Sequence, residues 1–351
     1  MTTQRTIHDT ADTTPWLTQT LTYDDGGQLI HRDFVLDNHG SVHVDYDVAG
    51  QDDWSKITFT YDAEGRLETK ETNFDDGARN VTVHDVDGTE VWQALTIAYD
   101  DAGQRYRVDS FLDDGGKIIA NYDVAGTESW TKQSFTFNTS DQVTFQATDF
   151  DNGSRSTVQY DVAGLEDWKQ LTLDYDAAGQ LRHQLTEHDD GTGTEVFRDV
   201  GDAADWSKYT ISYDQDGHVS QRLVTFDEGG AASMRYDTAG CESWVVQVRV
   251  ALPDGQLGYG ATVGDDGTLN ENLGKAVWEE STNESGAVTH RAADFGNGIT
   301  LIVDYDVANT ENWSVYAVLY DSDNQPLYAA GIYDDGHLDE TVIAAPTDWM
   351  V

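Results

Sequence analysis

The sequence predicts an all-β protein of nine tandem, three-stranded antiparallel repeats, each of about 38 residues, forming an elongated or coiled β-array. A closed, propeller-like ring is the alternative. Three observations predict the class. All ten tryptophans fall on one grid, 16, 54, 92, 130, 168, 206, 244, 278, 313 and 349, with six steps of 38 followed by 34, 35 and 36. Apolar and polar residues alternate after each Trp, the period of a strand. Asp-Gly turn signals then recur at fixed offsets, and such self-similarity marks a repeat architecture whose units bury surface against their neighbours.

The elements follow in chain order. Residues 1–15 form a partial repeat, because "IHDTADTTPW" keeps the spacing of the skeleton Tyr-Asp-x-x-Gly-x-x-x-Trp through His8 and Asp9. It is either a cap or a clasp. Residues 16–243 are six regular repeats. In the repeat opening at Trp54, "WSKITFTYD" is the first strand, with Ile57, Phe59 and Tyr61 expected on one face and Trp54, Lys56, Thr58 and Thr60 on the other. Asp-x-x-Gly follows at Asp62–Gly65, as at Asp24–Gly27, Asp100–Gly103, Asp176–Gly179 and Asp214–Gly217. There Asp accepts a backbone N–H and Gly supplies a positive φ. "RLETKETNF" is a second, largely polar strand; the Asp75-Asp76-Gly77 turn leads to a third, "ARNVTVHDV". Residues 244–351 hold three irregular repeats and a C-terminal cap, marked by "ALPDGQLGYG" and "NESGAVTH".

Parity constrains the assembly. An odd number of strands per repeat reverses strand direction from one repeat to the next and exchanges the two faces of the sheet. Open twisted sheets rarely exceed about ten strands, so an array this long must coil, close or split.

Composition narrows the partners. With 65 Asp and Glu against 20 Lys and Arg, the formal charge of −45 repels nucleic-acid phosphates and anionic membranes. The 38 aromatic residues (17 Tyr, 11 Phe, 10 Trp) argue against disorder. One cysteine, Cys241, leaves no disulfide framework. No run reaches the ~18 apolar residues of a membrane helix. The N-terminus lacks the apolar stretch of a cleavable signal, and "DWMV" is similar to the tail of type I-secreted proteins. The expected location is extracellular or at the cell surface, the alternative cytoplasmic.

Nothing in the sequence reads as catalytic, so the protein is expected to be no enzyme. The ten histidines form no His-x-x-x-His or Glu-flanked cluster. Calcium is the one cofactor with a rationale, since hard oxygen donors at repeated turns are what it requires. Its ligands would be the paired acids of the second turn: Asp75 and Asp76, Asp113 and Asp114, Asp189 and Asp190, Asp227 and Glu228, Asp265 and Asp266. Ordinary hairpin chemistry accounts for the same residues. Trp16, Trp54, Trp92, Trp130, Trp168, Trp206, Trp244, Trp278, Trp313 and Trp349 are expected to be structural anchors between repeats. A threonine row (Thr20, Thr58, Thr96, Thr172, Thr210, with Ser134 in register) is expected to share the Trp face.

At "YDAEGRLETKETNFDDGARNVTVHD" the chain resembles the YD repeats of rearrangement-hotspot (Rhs) and teneurin proteins. Tyr61, Asp62, Gly65, Arg66 and Leu67 match that pattern, as do Tyr23, Asp24, Gly27 and Leu29, and Tyr175, Asp176, Gly179 and Leu181. Here each repeat carries an extra Trp-bearing strand. The acidic, Cys-poor composition is also similar to that of secreted calcium-binding repeat proteins. The repeat, the charge and the Cys-poor composition together predict a non-enzymatic bacterial structural or adhesive protein, calcium-stabilised if the turns bind the ion. A propeller-like protein binding a carbohydrate or other ligand and a self-assembling filament subunit are the alternatives. The partners that follow are a second copy of the chain or a surface glycan.

Overall fold

The computed structural model describes residues 2–335 and 337–342, which contain 28 strands and no helix. Strand β1 (Thr3–His8) precedes nine triplets. The first is β2 (Trp16–Tyr23), β3 (Leu29–Leu36) and β4 (Ser41–Tyr46). It is followed by β5–β7 (Trp54–Tyr61, Leu67–Phe74, Arg79–His84), β8–β10 (Trp92–Tyr99, Arg105–Leu112, Lys117–Tyr122) and β11–β13 (Trp130–Phe137, Val143–Phe150, Arg155–Tyr160). Next come β14–β16 (Trp168–Tyr175, Leu181–His188, Gly193–Arg198) and β17–β19 (Trp206–Tyr213, Val219–Phe226, Ala231–Tyr236). The last are β20–β22 (Trp244–Ala251, Leu257–Gly264, Leu269–Asn272), β23–β25 (Val277–Thr282, Val288–Asp294, Thr300–Tyr305) and β26–β28 (Trp313–Tyr320, Pro326–Tyr333, Leu338–Val342). Trp349 lies outside the described residues.

The chain divides into two compact units, Met1–Leu165 with Asp176–Gly179, and Glu166–Tyr175 with Gln180–Val351. In the first unit β1 to β13 form one antiparallel sheet in chain order. The described strands close into no barrel or propeller-like ring, which sets that alternative aside.

Register confirms the parity argument. Phe59 pairs with Lys70, Lys70 with Thr82, Thr82 with Thr96, Thr96 with Asp109, Asp109 with Ile119 and Ile119 with Phe135. Paired residues share a face, so Phe59 and Phe135 face one side while Ile97, between them in the repeat, faces the other. Thr58 and Thr96 therefore lie on opposite faces, and the threonine row forms no common surface.

The side assigned to Trp from alternation is also corrected. Trp54 pairs with Phe74 but Lys56 with Asn73, so Ser55 is an extra residue and the strand is bulged there. The bulge turns Trp54 onto the face of Ile57. The same step brings Trp206 within 6.5 Å of Tyr209 and Trp313 within 5.9 Å of Tyr316, ring centroid to centroid.

Apolar burial differs sharply between units. In the first, only Val44, Ala98, Ala120 and Ala147 are buried apolar side chains among the described residues. Its sheet is a single layer, and cations cover half-buried rings on it: Arg79 lies 4.3 Å from the Tyr99 centroid, Arg105 4.3 Å from Tyr122 and Lys117 4.8 Å from Phe137.

The second unit has a conventional core. Its sheet of β23 to β28 lies over the strands β17 to β22, burying Ile299 and Val303 completely together with Trp206, Phe226, Val250, Tyr259, Leu301 and Leu319. Sequence explains the change. Because faces alternate, one face can stay apolar only if the apolar set shifts by one position between repeats. Tyr209 and Ile211 (Trp+3, Trp+5) give way to Val246, Val248 and Val250 (Trp+2, +4, +6). A polar cluster joins the layers: Glu271 accepts from Tyr259 Oη at 2.9 Å, Tyr305 Oη at 2.7 Å and Arg291 Nη1 at 2.7 Å.

Candidate functional site

Three loops recur along the repeats, and most are organised by an Asp carboxylate, with the amide oxygens of Asn38, Asn138 and Asn152 taking its place at three turns of the first unit. Before the Trp, the Asp that follows the third strand accepts the amide five residues ahead: Asp47 from Asp52 at 2.8 Å, Asp85 from Glu90 at 3.0 Å, Asp123 from Glu128 at 2.9 Å and Asp237 from Glu242 at 2.8 Å. Asp9 does the same for Thr14 at 2.7 Å, so the partial N-terminal repeat carries a complete loop of this kind. The Glu242 amide holds the Asp237 carboxyl below the usual carboxylate range, and the Glu311 amide does so for Asp306. After the first strand, the Asp of Asp-x-x-Gly accepts the amide four residues on, as Asp62 does from Arg66 at 2.7 Å and Asp214 from His218 at 2.8 Å. Gly65 takes the expected positive φ of 79°.

The second turn contains the acids proposed as calcium ligands. Asp76 Oδ1 accepts the Ala78 amide at 2.9 Å, Asp114 that of Gly116 at 2.8 Å, Asp190 that of Thr192 at 2.9 Å and Asp266 that of Thr268 at 3.0 Å. The hydroxyls of Thr192 and Thr268 hold Asp190 and Asp266 below the usual range. The preceding acid contributes its backbone: the amides of Asp75, Asp113, Asp189, Asp227 and Asp265 donate to the carbonyl just before the repeat's Trp. Among the described residues, none of these pairs belongs to a group of three His, Cys, Asp or Glu side chains close enough to share one ion. The Asp227 and Glu228 turn differs, because burial and then the charges of Asp202, Asp199, Asp205 and Glu228 push the Asp227 carboxyl up.

By strand register the tryptophans lie across from residues of their own repeats, Trp16 from Leu36, Trp92 from Leu112, Trp130 from Phe150, Trp168 from His188, Trp244 from Gly264 and Trp278 from Ala293, while the Trp278 ring also meets Tyr259 of the preceding repeat at 5.4 Å and its Nε1 donates to the Leu273 carbonyl at 2.7 Å. In the second unit Trp206, Tyr209, Phe226 and Tyr328 line an apolar cleft of about 50 Å³, with Arg222 at its polar edge. Arg222 Nη1 donates to Tyr209 Oη at 2.9 Å, and its buried Nε has no hydrogen-bond partner. Cys241 is exposed, and Asp237 pushes its thiol up, away from a reactive thiolate.

Sequence reading missed one juxtaposition. His31 and His43, on β3 and β4, come together with Asp45 across the hairpin, the one group of three potential metal ligands among the described residues. The signal was a His-x-Asp written twice, His31-Arg32-Asp33 and His43-Val44-Asp45, which antiparallel pairing folds onto itself.

No protein-family model matches the chain, and no curated protein does. Solved structures match only at low scores, two among them being these. Against TcdB2-TccC3 the TM-score is 0.20 with 12% identity over 95% of this chain and 21% of the other. Against TcdB2-TccC3 without its hypervariable C-terminal region it is 0.12 with 11% identity, over 90% and 25%. The chain thus spans about a fifth to a quarter of the chains it matches.

Proposed function

We propose that the chain is a non-enzymatic structural or adhesive repeat protein that works at or beyond the cell surface. The observation supporting this most directly is the uniformity of the first unit. Its triplets share strand lengths and register, and three loops capped by an Asp or Asn side-chain oxygen recur with the same period. Surface chemistry is thereby repeated at a fixed step, which suits a spacer or a multivalent display. The Tyr61–Leu67 stretch, with strand end, capped turn and strand start in succession, supports kinship with YD repeats. Among the described residues of its unit, strand β1 pairs with β2 alone, and such an edge suits pairing with a second copy.

Light scattering from micromolar to millimolar concentration, with a glycan array in parallel, tests the reading. Growth with concentration or retention of a surface glycan is the expected result. A chain that stays monomeric and binds no glycan overturns it. A second reading, a small sugar or aromatic ligand held by the second unit, rests on the cleft of Trp206, Tyr209, Phe226 and Tyr328. Trp206→Ala would then abolish retention of the glycan.

A further inference from the structure

The four side chains of the doubled His-x-Asp motif form a square on one face of the first repeat. Strand register sets His31 opposite Asp45 and Asp33 opposite His43. The two imidazoles stack with centroids 5.6 Å apart, and Phe59 backs His43 at 6.2 Å. Asp45 Oδ1 is the point of convergence, meeting His31 Nδ1 and also His43 Nε2, the latter at 2.9 Å. The other ring nitrogen of His43, Nδ1, meets Asp33.

As hydrogen bonds alone, these contacts need a proton on each of three ring nitrogens: His31 Nδ1, His43 Nδ1 and His43 Nε2. Two of those protons would point at the same carboxylate oxygen. A cation seated among His31 Nδ1, His43 Nε2 and Asp45 takes the place of both. The remaining proton, on His43 Nδ1, stays directed at Asp33, the carboxylate–histidine–metal relay that fixes the tautomer of metal-bound imidazoles.

From this geometry we propose that His31, His43 and Asp45 bind a late first-row divalent ion such as zinc, with Asp33 orienting His43. Two imidazole nitrogens select such an ion over calcium or magnesium, which take oxygen ligands. Three protein ligands leave a coordination position for water or a fourth donor. The side chains are a quarter to a half exposed, so an ion reaches them from solvent. Other histidines show what is special here. His183 sits between Asp174 and Glu195, and His290 beside Asp304, yet each is a single imidazole with carboxylates.

Equilibrium dialysis of the full chain against zinc, in a large excess of calcium to occupy the acidic surface, tests the proposal. About one tightly held zinc per chain is expected, with His31→Gln and His43→Gln each abolishing it. Asp33→Asn is expected to weaken binding roughly 10–100-fold while keeping the stoichiometry. His183→Gln should leave zinc binding unchanged. Zinc uptake that calcium removes, or that persists undiminished in the double variant H31Q/H43Q, overturns the proposal. Cobalt added to the unaltered chain provides a readout free of folding effects: visible bands of a low-coordinate nitrogen-ligated ion are expected, and a spectrum of hexaaqua cobalt alone refutes the site.

Discussion

Asn297 Nδ2 donates to the carbonyl of Gly229 at 2.8 Å, joining two turns 68 residues apart within the second unit. Asn297 is buried, and its Oδ1 also accepts the Ile299 amide at 3.2 Å, so one side chain closes its own turn and ties down another. The neighbouring Gly230 has a φ of 84°, and a Cβ there would lie 2.6 Å from the Ala251 carbonyl oxygen. Asn297→Ala is expected to cost about 1–3 kcal/mol, because the Gly229 carbonyl is left without its donor. Gly230→Ala should cost at least as much through strain and backbone collision. Denaturant midpoints measure both, and hydrogen exchange should place the loss in the second unit.

Glu271 is the hub between the two sheets of that unit. Its carboxylate receives Tyr259, Tyr305 and Arg291, and both it and Arg291 are largely shielded from solvent. Glu271→Ala takes away one of the two carboxylates that hold Arg291, which keeps Glu280 at 2.7 Å, and removes the acceptor of two tyrosine hydroxyls, so it is expected to destabilise the unit by roughly 2–3 kcal/mol. Tyr305→Phe removes one donor and should cost about 1 kcal/mol. Equal losses for the two variants would show that the carboxylate is no hub.

His183 makes stability depend on pH in the alkaline range. Burial opposes its charge, but hydrogen bonds from the ring to Asp174 and Glu195 outweigh it, and its pKa is pushed up to about 9. The folded-state value lies above the unfolded one, so the stabilisation is complete below about pH 6.5 and is lost as pH rises through about 9. Unfolding midpoints should therefore fall between pH 7 and 10, and His183→Gln should remove that part of the decline. A variant with the full slope would assign it elsewhere.

Asp227 has the opposite relation to its surroundings. Its carboxyl is pushed up by burial and by four neighbouring acids, so ionisation works against the fold. The relative penalty is absent below the unfolded carboxylate pKa of 3.8 and appears as pH rises through the higher folded value. Asp227→Asn is expected to raise the neutral-pH melting temperature at low salt, with the gain shrinking as sodium chloride screens the repulsion. Calcium should stabilise the unaltered chain more than the variant if this turn takes the ion. An equal calcium response in both would remove the turn from consideration.

Much of the fold was legible because its determinants are local. The carboxylates of Asp47, Asp62 and Asp76 act within five, four and two residues of themselves, so each leaves its spacing in the sequence. Strand order followed from those turns. The bulge at Ser55 was not legible, since alternation carried back from Lys56 passes through it unmarked and puts Trp54 on the wrong face. The second layer was written in Val246, Val248 and Val250, but reading it required knowing that faces exchange between repeats. The His31 and His43 pairing had the same character: its members are 12 residues apart, and only the register of β3 and β4 unites them.

Trp206 and Trp54 occupy the same place in their repeats, which makes them a test of what that place does. Each lies across from a Phe, Phe226 or Phe74, behind the same bulge. Trp206 is 7% exposed beneath a second sheet, whereas Trp54 is half-buried on a single layer. If the indole serves as a packing anchor only where a second layer covers it, Trp206→Ala should cost roughly 3–5 kcal/mol. Trp54→Ala, losing a cross-strand contact and partial burial, should cost on the order of 1–2 kcal/mol. Denaturant titration of the two variants measures the difference. Equal, large losses would instead mean that every repeat depends on its own indole to dock on its neighbour, with Trp54 as necessary to the sheet as Trp206 is to the core.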